Sequence, residues 1–271
     1  MVGEALESAT DALAAIGVPT PRLDAEAMLA AAAGCDRSAL IADPAAELPP
    51  PAARAFGEMV RRRLRREPVA YVLGRKGFRR IELEVDRRVL VPRPETELLV
   101  ELAVELRPAQ VLDVGTGSGA IALAVADELA ECEVTATDTS AGALELARAN
   151  AERLGLAHRV RFLAGTLPEG EGFDLVLANL PYVAERDWPG LEPEVTRWEP
   201  REALLAGPDG LDAYRDFIPL LTSAAVVALE VGEGQAGAVA AMLDAAGFTG
   251  MESRLDLAGI ERIVVGRGSL G

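Results

Sequence analysis

The sequence predicts an α/β fold: a parallel, doubly wound sheet preceded by a small N-terminal helical bundle and a β-hairpin linker. Three observations carry this. Beyond Pro94, short apolar runs alternate with longer segments at helical spacing, the rhythm of strand–helix–strand units. The first 70 residues show helical spacing with no strand pattern among them. From Gly77 to Val91 the period shortens toward that of a strand. A chain of 271 residues, 50% of them apolar, suits a small domain followed by a larger one. The expected boundaries are 1–73 for the bundle, 74–91 for the hairpin and 92–271 for the sheet domain.

In the bundle, Leu6, Ala9, Leu13 and Ile16 fall at helical spacing and Gly17 marks a stop. Thr20-Pro21 is a cap and first-turn pair opening a second helix, which runs through Met28 and Leu29 to Gly34. A third helix starts after Pro49-Pro50-Pro51 and continues toward Arg66. Phe78, Ile81, Leu83 and Val85, then Val89-Leu90-Val91, suggest hairpin strands with a turn near Asp86-Arg87. In the sheet domain, helices are expected near 95–106, 119–129 and 141–154. Strands are expected near 110–114, 133–137, 160–163, 175–178, 224–231 and 262–265, with an antiparallel element near the end.

Charge and composition narrow the function. A net charge of −16 with a pI near 4.6 argues against a protein that grips a phosphate backbone. Cys35 and Cys132 lie far apart and His158 is the single histidine, which excludes a disulfide framework and a Cys/His metal cluster. No metal is expected, His158 reads as a loop residue, and the cysteine usage suits the cytoplasm. The start carries Glu4 and Glu7 without a basic segment, so no signal peptide is expected. The longest apolar stretch, 217–229, is broken by Pro219 and falls short of the roughly 18 residues of a membrane span. Arginines crowd the region from Arg61 to Arg93. They read either as a solvated helix face and a hairpin edge guarded against pairing, or as a docking surface for an acidic partner.

Val111 to Leu123, VLDVGTGSGAIAL, reads as a buried strand, a glycine turn and a helix start. Gly115, Gly117 and Gly119 permit backbone conformations closed to other residues and let a ligand approach the main chain. The nicotinamide fingerprint places its last glycine three beyond the second, whereas here the gap is two and Ala120 stands at the dinucleotide position. With Asp113 ahead of it, the turn resembles the first motif of S-adenosylmethionine-dependent methyltransferases. Asp138 ends the next strand about twenty residues on, where a carboxylate can accept both ribose hydroxyls or cap the following helix.

Asn179-Leu180-Pro181-Tyr182 follows the apolar run Leu175-Val176-Leu177, so it should lie at a strand's carboxyl end, where open α/β sheets bind ligands. The lone pair of an amide or exocyclic amino nitrogen is delocalised into a π system, which makes it a poor nucleophile. Acceptors for its two hydrogens turn it toward an electrophile and draw off the developing charge. The Asn179 side-chain oxygen and the Leu180 carbonyl supply two such acceptors, Pro181 biases Leu180 toward extended backbone, and Tyr182 offers a flat wall. Methyltransferases acting on planar NH2 groups share the Asn/Asp-Pro-Pro-Tyr/Phe pattern, from which Leu180 departs. Adenine-N6 methyltransferases of RNA or DNA carry it too, so the motif alone leaves the substrate open. An Asx-type turn with a core tyrosine is the plain structural alternative.

Further segments resolve this by resemblance. EPVAYVLGRKGF (67–78), VLVPRPETELLV (89–100), EPREALLAGPDGLDAYR (199–215), LEVGEGQA (229–236) and DLAGIERIVVGR (256–267) resemble the release factor glutamine methyltransferases, the bacterial PrmC/HemK family. The resemblance spans nearly the whole chain. It implies a seven-stranded Rossmann-like methyltransferase sheet and an N-terminal helical domain that recognises substrate. It also implies transfer of a methyl group from S-adenosyl-L-methionine, leaving S-adenosyl-L-homocysteine. The implied acceptor is the side-chain amide nitrogen, N5, of the glutamine in the Gly-Gly-Gln motif of class 1 peptide release factors. By position, Gly115, Thr116, Gly117, Ser118 and Gly119 would meet the cofactor's methionine end and Asp138 its ribose. Asn179 with the Leu180 carbonyl would orient the amide, walled by Pro181 and Tyr182. Thr96 would either contact the cofactor or simply open a helix. Thr166 stands where the family usually has an acid, which would leave adenine to backbone groups and Leu167. A cytoplasmic monomer acting on a protein substrate is expected.

Overall fold

The computed structural model describes residues 1–221 and 224–268, and the chain divides into two units. The first comprises Met1–Arg75 together with a later segment, Glu192–Trp198. It contains α1 (Val2–Ala15), α2 (Pro21–Ala33), α3 (Arg37–Ala42), α4 (Pro50–Leu64) and α5 (Val69–Leu73). Val2, Leu6, Ala9 and Leu13 form the buried stripe of α1, one helical face recurring every three or four residues. Gly17 follows at φ 74°, and the Val18 N–H returns to the Leu13 carbonyl, closing the helix end. Leu6, Leu13, Met28, Leu29 and Phe56 meet in the core, each worth roughly 1.5–3 kcal/mol of apolar burial.

A buried ion network also holds this unit. The Arg63 guanidinium donates to Asp24 at 2.7 Å and to Glu194 at 2.6 Å, and Arg66 binds the same Glu194. Removing one partner from such a pair typically costs about 3–5 kcal/mol, because the other charge stays buried. Arg62 makes a separate pair with Glu67 at 2.5 Å.

The second unit, Lys76–Leu191 and Glu199–Gly271, is built on the sheet. A hairpin comes first, β1 (Arg75–Phe78) and β2 (Ile81–Glu84). Then follow α6 (Glu97–Leu106), β3 (Gln110–Val114), α7 (Ala120–Glu128), β4 (Glu133–Asp138), α8 (Ala141–Arg153), β5 (Val160–Ala164) and β6 (Phe173–Ala178). α9 (Pro193–Trp198) belongs to the first unit. The sheet unit continues with α10 (Asp212–Phe217), β7 (Ala224–Glu230), α11 (Ala236–Ala245), β8 (Thr249–Leu255) and β9 (Glu261–Arg267). The seven strands run β5-β4-β3-β6-β7-β9-β8; β9 is antiparallel to both its neighbours and the other pairs are parallel. This is the doubly wound α/β fold that the alternation predicts, and the antiparallel element sits near the end as expected. The order reverses between β3 and β6, and the loops after those strands diverge there to leave a crevice.

Several elements differ from the sequence reading. Val89–Val91 forms no strand, and the hairpin turns at Arg79-Arg80, with Arg79 at φ 52°, rather than near Asp86-Arg87. Asp86 instead accepts the Arg88 N–H, and the Val91 N–H goes to the Glu199 carboxylate, so the segment pairs with a side chain and not a ladder. β8 was invisible because most of its residues are exposed at the sheet edge, leaving no apolar alternation. The short helices α3, α5, α9 and α10 carry too few turns for a period to register.

Within this unit the arginines are largely paired: Arg79 with Glu128 and Glu101, Arg88 with Asp86 and Glu145, and Arg93 with Glu199. The sequence cluster therefore supplies internal bridges more than an open basic surface.

Candidate active site

Each loop at the crevice has its own support. The glycine turn leaves β3 at Val114, and the Gly115 and Thr116 N–H groups both donate to the Thr137 carbonyl at 2.9 Å. Gly115, Gly117 and Gly119 sit at φ 73°, 56° and 85°, a region costly to any residue with a Cβ. Beneath the turn, Asp113 is fully buried; its Oδ2 accepts the Thr116 hydroxyl at 2.6 Å and the Ala122 N–H at 3.1 Å. Burial pushes its carboxyl up to about 7, against the pull of those two hydrogen bonds. Asn150, on α8, donates to the Ser118 carbonyl at 2.9 Å and exchanges hydrogen bonds with the Glu84 backbone. No sequence motif marks Asn150; a polar residue on the otherwise apolar buried face of a helix is the signal that could have found it.

Asp138 closes the turn from the side. Its Oδ2 accepts the Gly117 N–H at 2.9 Å, and its Oδ1 accepts the Ser140 N–H at 2.8 Å. The carboxylate thus both organises the turn and faces the cavity. The cap of α8 comes from the Ser140 hydroxyl, not Asp138.

Asn179 follows β6, whose Ala178 lies in register with Val114 of β3. The asparagine therefore sits beside the glycine turn. Its Nδ2 donates to the Thr96 hydroxyl at 3.0 Å, which leaves Oδ1 as the free end of the amide. Thr96 precedes α6 but makes no side-chain cap; its hydroxyl serves Asn179 instead. Distant segments hold this loop. The Gln235 side chain donates to the Tyr182 carbonyl at 2.9 Å. A Cβ at Gly210 would stand 2.4 Å from that same carbonyl, and one at Gly232 would stand 3.1 Å from the Tyr182 ring. The glycines of the 199–215 and 229–236 segments are thus spaces into which the Asn-Leu-Pro-Tyr turn fits.

A cavity of about 250 Å³ collects Gly115, Thr116, Gly117, Ser118, Asp138, Asn179, Leu180 and Pro181. Thr139, Ser140, Gly165 and Thr166 complete one end; Pro92, Arg93, Thr96, Pro200 and Glu202 complete another. Two of the expected residues lie off the wall. Gly119 is buried where a Cβ would meet Leu123 at 2.8 Å, so it serves the packing of α7. The Tyr182 ring packs on the core below β7, where burial pushes its hydroxyl up to about 12. Leu167 likewise turns to that core rather than into the cavity. Thr166 is on the wall, its carbonyl anchored by the Thr137 hydroxyl at 2.8 Å.

The residues fit a bound S-adenosylmethionine. The turn presents backbone without side chains at Gly115 and Gly117, an acid stands beside it, and Asn179 lines the same cavity. No group of three or more potential metal-ligating side chains occurs among the described residues.

Comparison with known proteins supports this picture. Residues 4–74 match the PrmC N-terminal domain, and residues 111–198 match a methyltransferase domain. A release factor glutamine methyltransferase of Caulobacter vibrioides is 41% identical over 97% of this chain and 95% of its own length. One from Moorella thermoacetica is 42% identical over 96% of this chain and 95% of its own. Among solved structures, a methyltransferase from Pyrococcus furiosus superposes with a TM-score of 0.51 at 20% identity, covering 68% of this chain and 87% of that one, a likeness of fold.

Proposed function

The chain belongs to the release factor glutamine methyltransferases, and from that premise we propose its reaction in detail: methyl transfer from S-adenosyl-L-methionine to N5 of the glutamine in the Gly-Gly-Gln motif of class 1 peptide release factors. The observation that carries the reading is the Asn179 amide, tethered by its nitrogen to Thr96 with its oxygen free beside the glycine turn. A carboxamide NH2 needs acceptors, and Asn179 Oδ1 with the Leu180 carbonyl provides them. Gripped at both hydrogens, the substrate nitrogen turns its lone pair toward the turn that holds the cofactor.

The bound cofactor supplies an electrophilic methyl group on a sulfonium, so neither a metal nor a covalent enzyme intermediate is required. The chain's own residues position: Gly115, Thr116, Gly117 and Ser118 would cradle the methionine end through backbone, Asp138 would accept the ribose hydroxyls, and Pro181 with Leu180 narrows the slot. Holding the reactants in line is worth several orders of magnitude in rate by itself. No strong base is needed, because the proton is released once the nitrogen has become cationic. We assign substrate recognition to the N-terminal unit and treat the protein as a cytoplasmic monomer without a specific nucleic-acid partner. The internal pairing of Arg62, Arg63, Arg66, Arg79 and Arg93 supports that last assignment.

The test is incubation with methyl-labelled cofactor and purified release factor, with and without its Gly-Gly-Gln glutamine. Label should enter only the glutamine-bearing protein. Label entering RNA or DNA instead, with binding that falls steeply with salt, would mark an adenine-N6 enzyme. Cofactor binding without label in any acceptor would mark a non-catalytic protein.

A further inference from the structure

Asn150 on α8 is 0% exposed, and the oxygen and both hydrogens of its amide are engaged. Its Oδ1 accepts the Glu84 N–H at 2.7 Å, and its Nδ2 donates one hydrogen to the Glu84 carbonyl at 3.0 Å. The other Nδ2 hydrogen goes to the Ser118 carbonyl at 2.9 Å. Glu84 thus receives from a side chain what a neighbouring strand would give it, an acceptor and a donor for the two backbone groups of one residue. One turn further along α8, Arg153 donates to the Glu82 carbonyl, so the helix holds β2 at two points.

The two residues that Asn150 joins lead to different walls of the cavity. Ser118 belongs to the glycine turn and is itself on the wall. Glu84 ends β2, and the chain leaving it passes through buried Val85 and a turn in which the Val89 N–H meets the Asp86 carbonyl at 3.1 Å. That segment supplies Arg88, Val89, Leu90 and Pro92 to the same cavity. The Arg88 stem packs on α8 at Gly142, where a Cβ would stand 3.3 Å from it.

We propose that Asn150 is a positioning residue that couples the hairpin to the cofactor turn, so that cofactor binding and attachment of β2 to α8 strengthen each other. The identity of the ligand rests on the S-adenosylmethionine reading above; the link itself does not. A carboxamide is planar, and its hydrogen bonds share one orientation. If β2 moves, Asn150 either releases Glu84 or follows it away from Ser118, and a buried carbonyl of the turn loses its partner. Coupling of this kind is reciprocal: the factor by which attachment raises cofactor affinity is the factor by which cofactor favours attachment. A residue that only satisfied the end of the hairpin would affect stability and leave cofactor affinity alone.

Calorimetry with S-adenosyl-L-homocysteine and amide hydrogen exchange on the full chain test this. In wild type the ligand should slow exchange of the Glu84 N–H, which faces Asn150, about threefold or more. N150A should weaken binding about ten- to hundredfold and abolish that response. E84P works from the hairpin side, removing the N–H that Asn150 holds; Leu83, already extended in β2, tolerates the proline after it. Measured against E84A, which lacks the same carboxylate but keeps the N–H, E84P should weaken binding about three- to tenfold. N150A within about twofold of wild type, or E84P within about twofold of E84A, overturns the proposal, as does a Glu84 amide indifferent to the ligand. Should N150A fail to fold, the wild-type exchange and the E84P comparison decide. If wild type binds no S-adenosyl-L-homocysteine, the cofactor reading fails alone, and the Gly117 and Gly119 amides, both hydrogen-bonded at the turn, decide this one. They should exchange about threefold or more faster in E84P than in E84A, and equal rates sink the link.

Discussion

The two loops that frame the cavity hold their shape by opposite means. The glycine turn after β3 is fastened from within its own neighbourhood: Thr137, Asp138 and Asn150 bind its backbone, Asp113 binds its Thr116 hydroxyl, and it presents main chain to the cavity. The Asn-Leu-Pro-Tyr turn after β6 presents one working side chain, and its supports come from far along the sequence: Thr96, Gly210, Gly232 and Gln235. A ligand that must be bound in many places suits the first arrangement. A single oriented hydrogen bond, useful only at the moment of transfer, suits the second. Damage to one loop should therefore appear in cofactor affinity, and damage to the other in turnover.

The sharpest break of that contrast is N179A. It removes the acceptor and should lower kcat about a hundred- to a thousandfold, while calorimetry finds the cofactor Kd within a few fold. Equal losses in both would mean the loops are not separable. D138A is the converse. Losing a carboxylate that accepts charge-assisted hydrogen bonds should weaken cofactor binding roughly ten- to hundredfold, with kcat at saturation nearly unchanged.

G210A asks whether the second loop is truly held from outside. The new methyl would sit 2.4 Å from the Tyr182 carbonyl at a position with φ 79°, so the turn must shift. A loss of about 2–3 kcal/mol is expected, seen as a melting temperature lower by roughly 5–10 °C, with kcat falling more than cofactor affinity.

The smallest effect concerns the support of the first loop. Asp113 titrates at about 7 when folded because burial raises it above its ordinary value of 3.8. A carboxyl raised in the folded state stabilises fully below the unfolded pKa, and that contribution is lost as pH climbs through the folded one. Stability should thus fall between about pH 4 and pH 7, with Glu230 acting in the same direction. D113N should flatten part of that slope, read from denaturation midpoints at pH 5 and pH 8. An unchanged slope would show that the charge under the turn is not felt.

Legibility in the sequence followed the same division. The glycine turn could be read directly, because its strand, three glycines and acid are contiguous or one strand apart, and local backbone demands write themselves into local sequence. Six of the seven strands announced themselves as apolar runs, while β8, polar at the edge, did not. Asn179 was legible as chemistry, but its supports were not. Nothing in the Pro-Glu-Thr-Glu segment, which Thr96 belongs to, says whether the threonine caps a helix, touches a ligand or holds an asparagine 83 residues away. Tyr182 and Gly119 could be counted with the site by motif, yet their surroundings turn them to the core.

The order of strands and helices, the turn that needs glycine, and the presence of a carboxamide acceptor after a buried strand were all determined by the sequence alone, since each depends on neighbours in the chain. Which end of that carboxamide faces the cavity, which glycines are turns and which are spaces for another loop, and which arginines carry free charge were decided only by tertiary structure. The physical reason is that a hydrogen bond or an ion pair belongs to two groups at once, and here the second group lies tens of residues from the first.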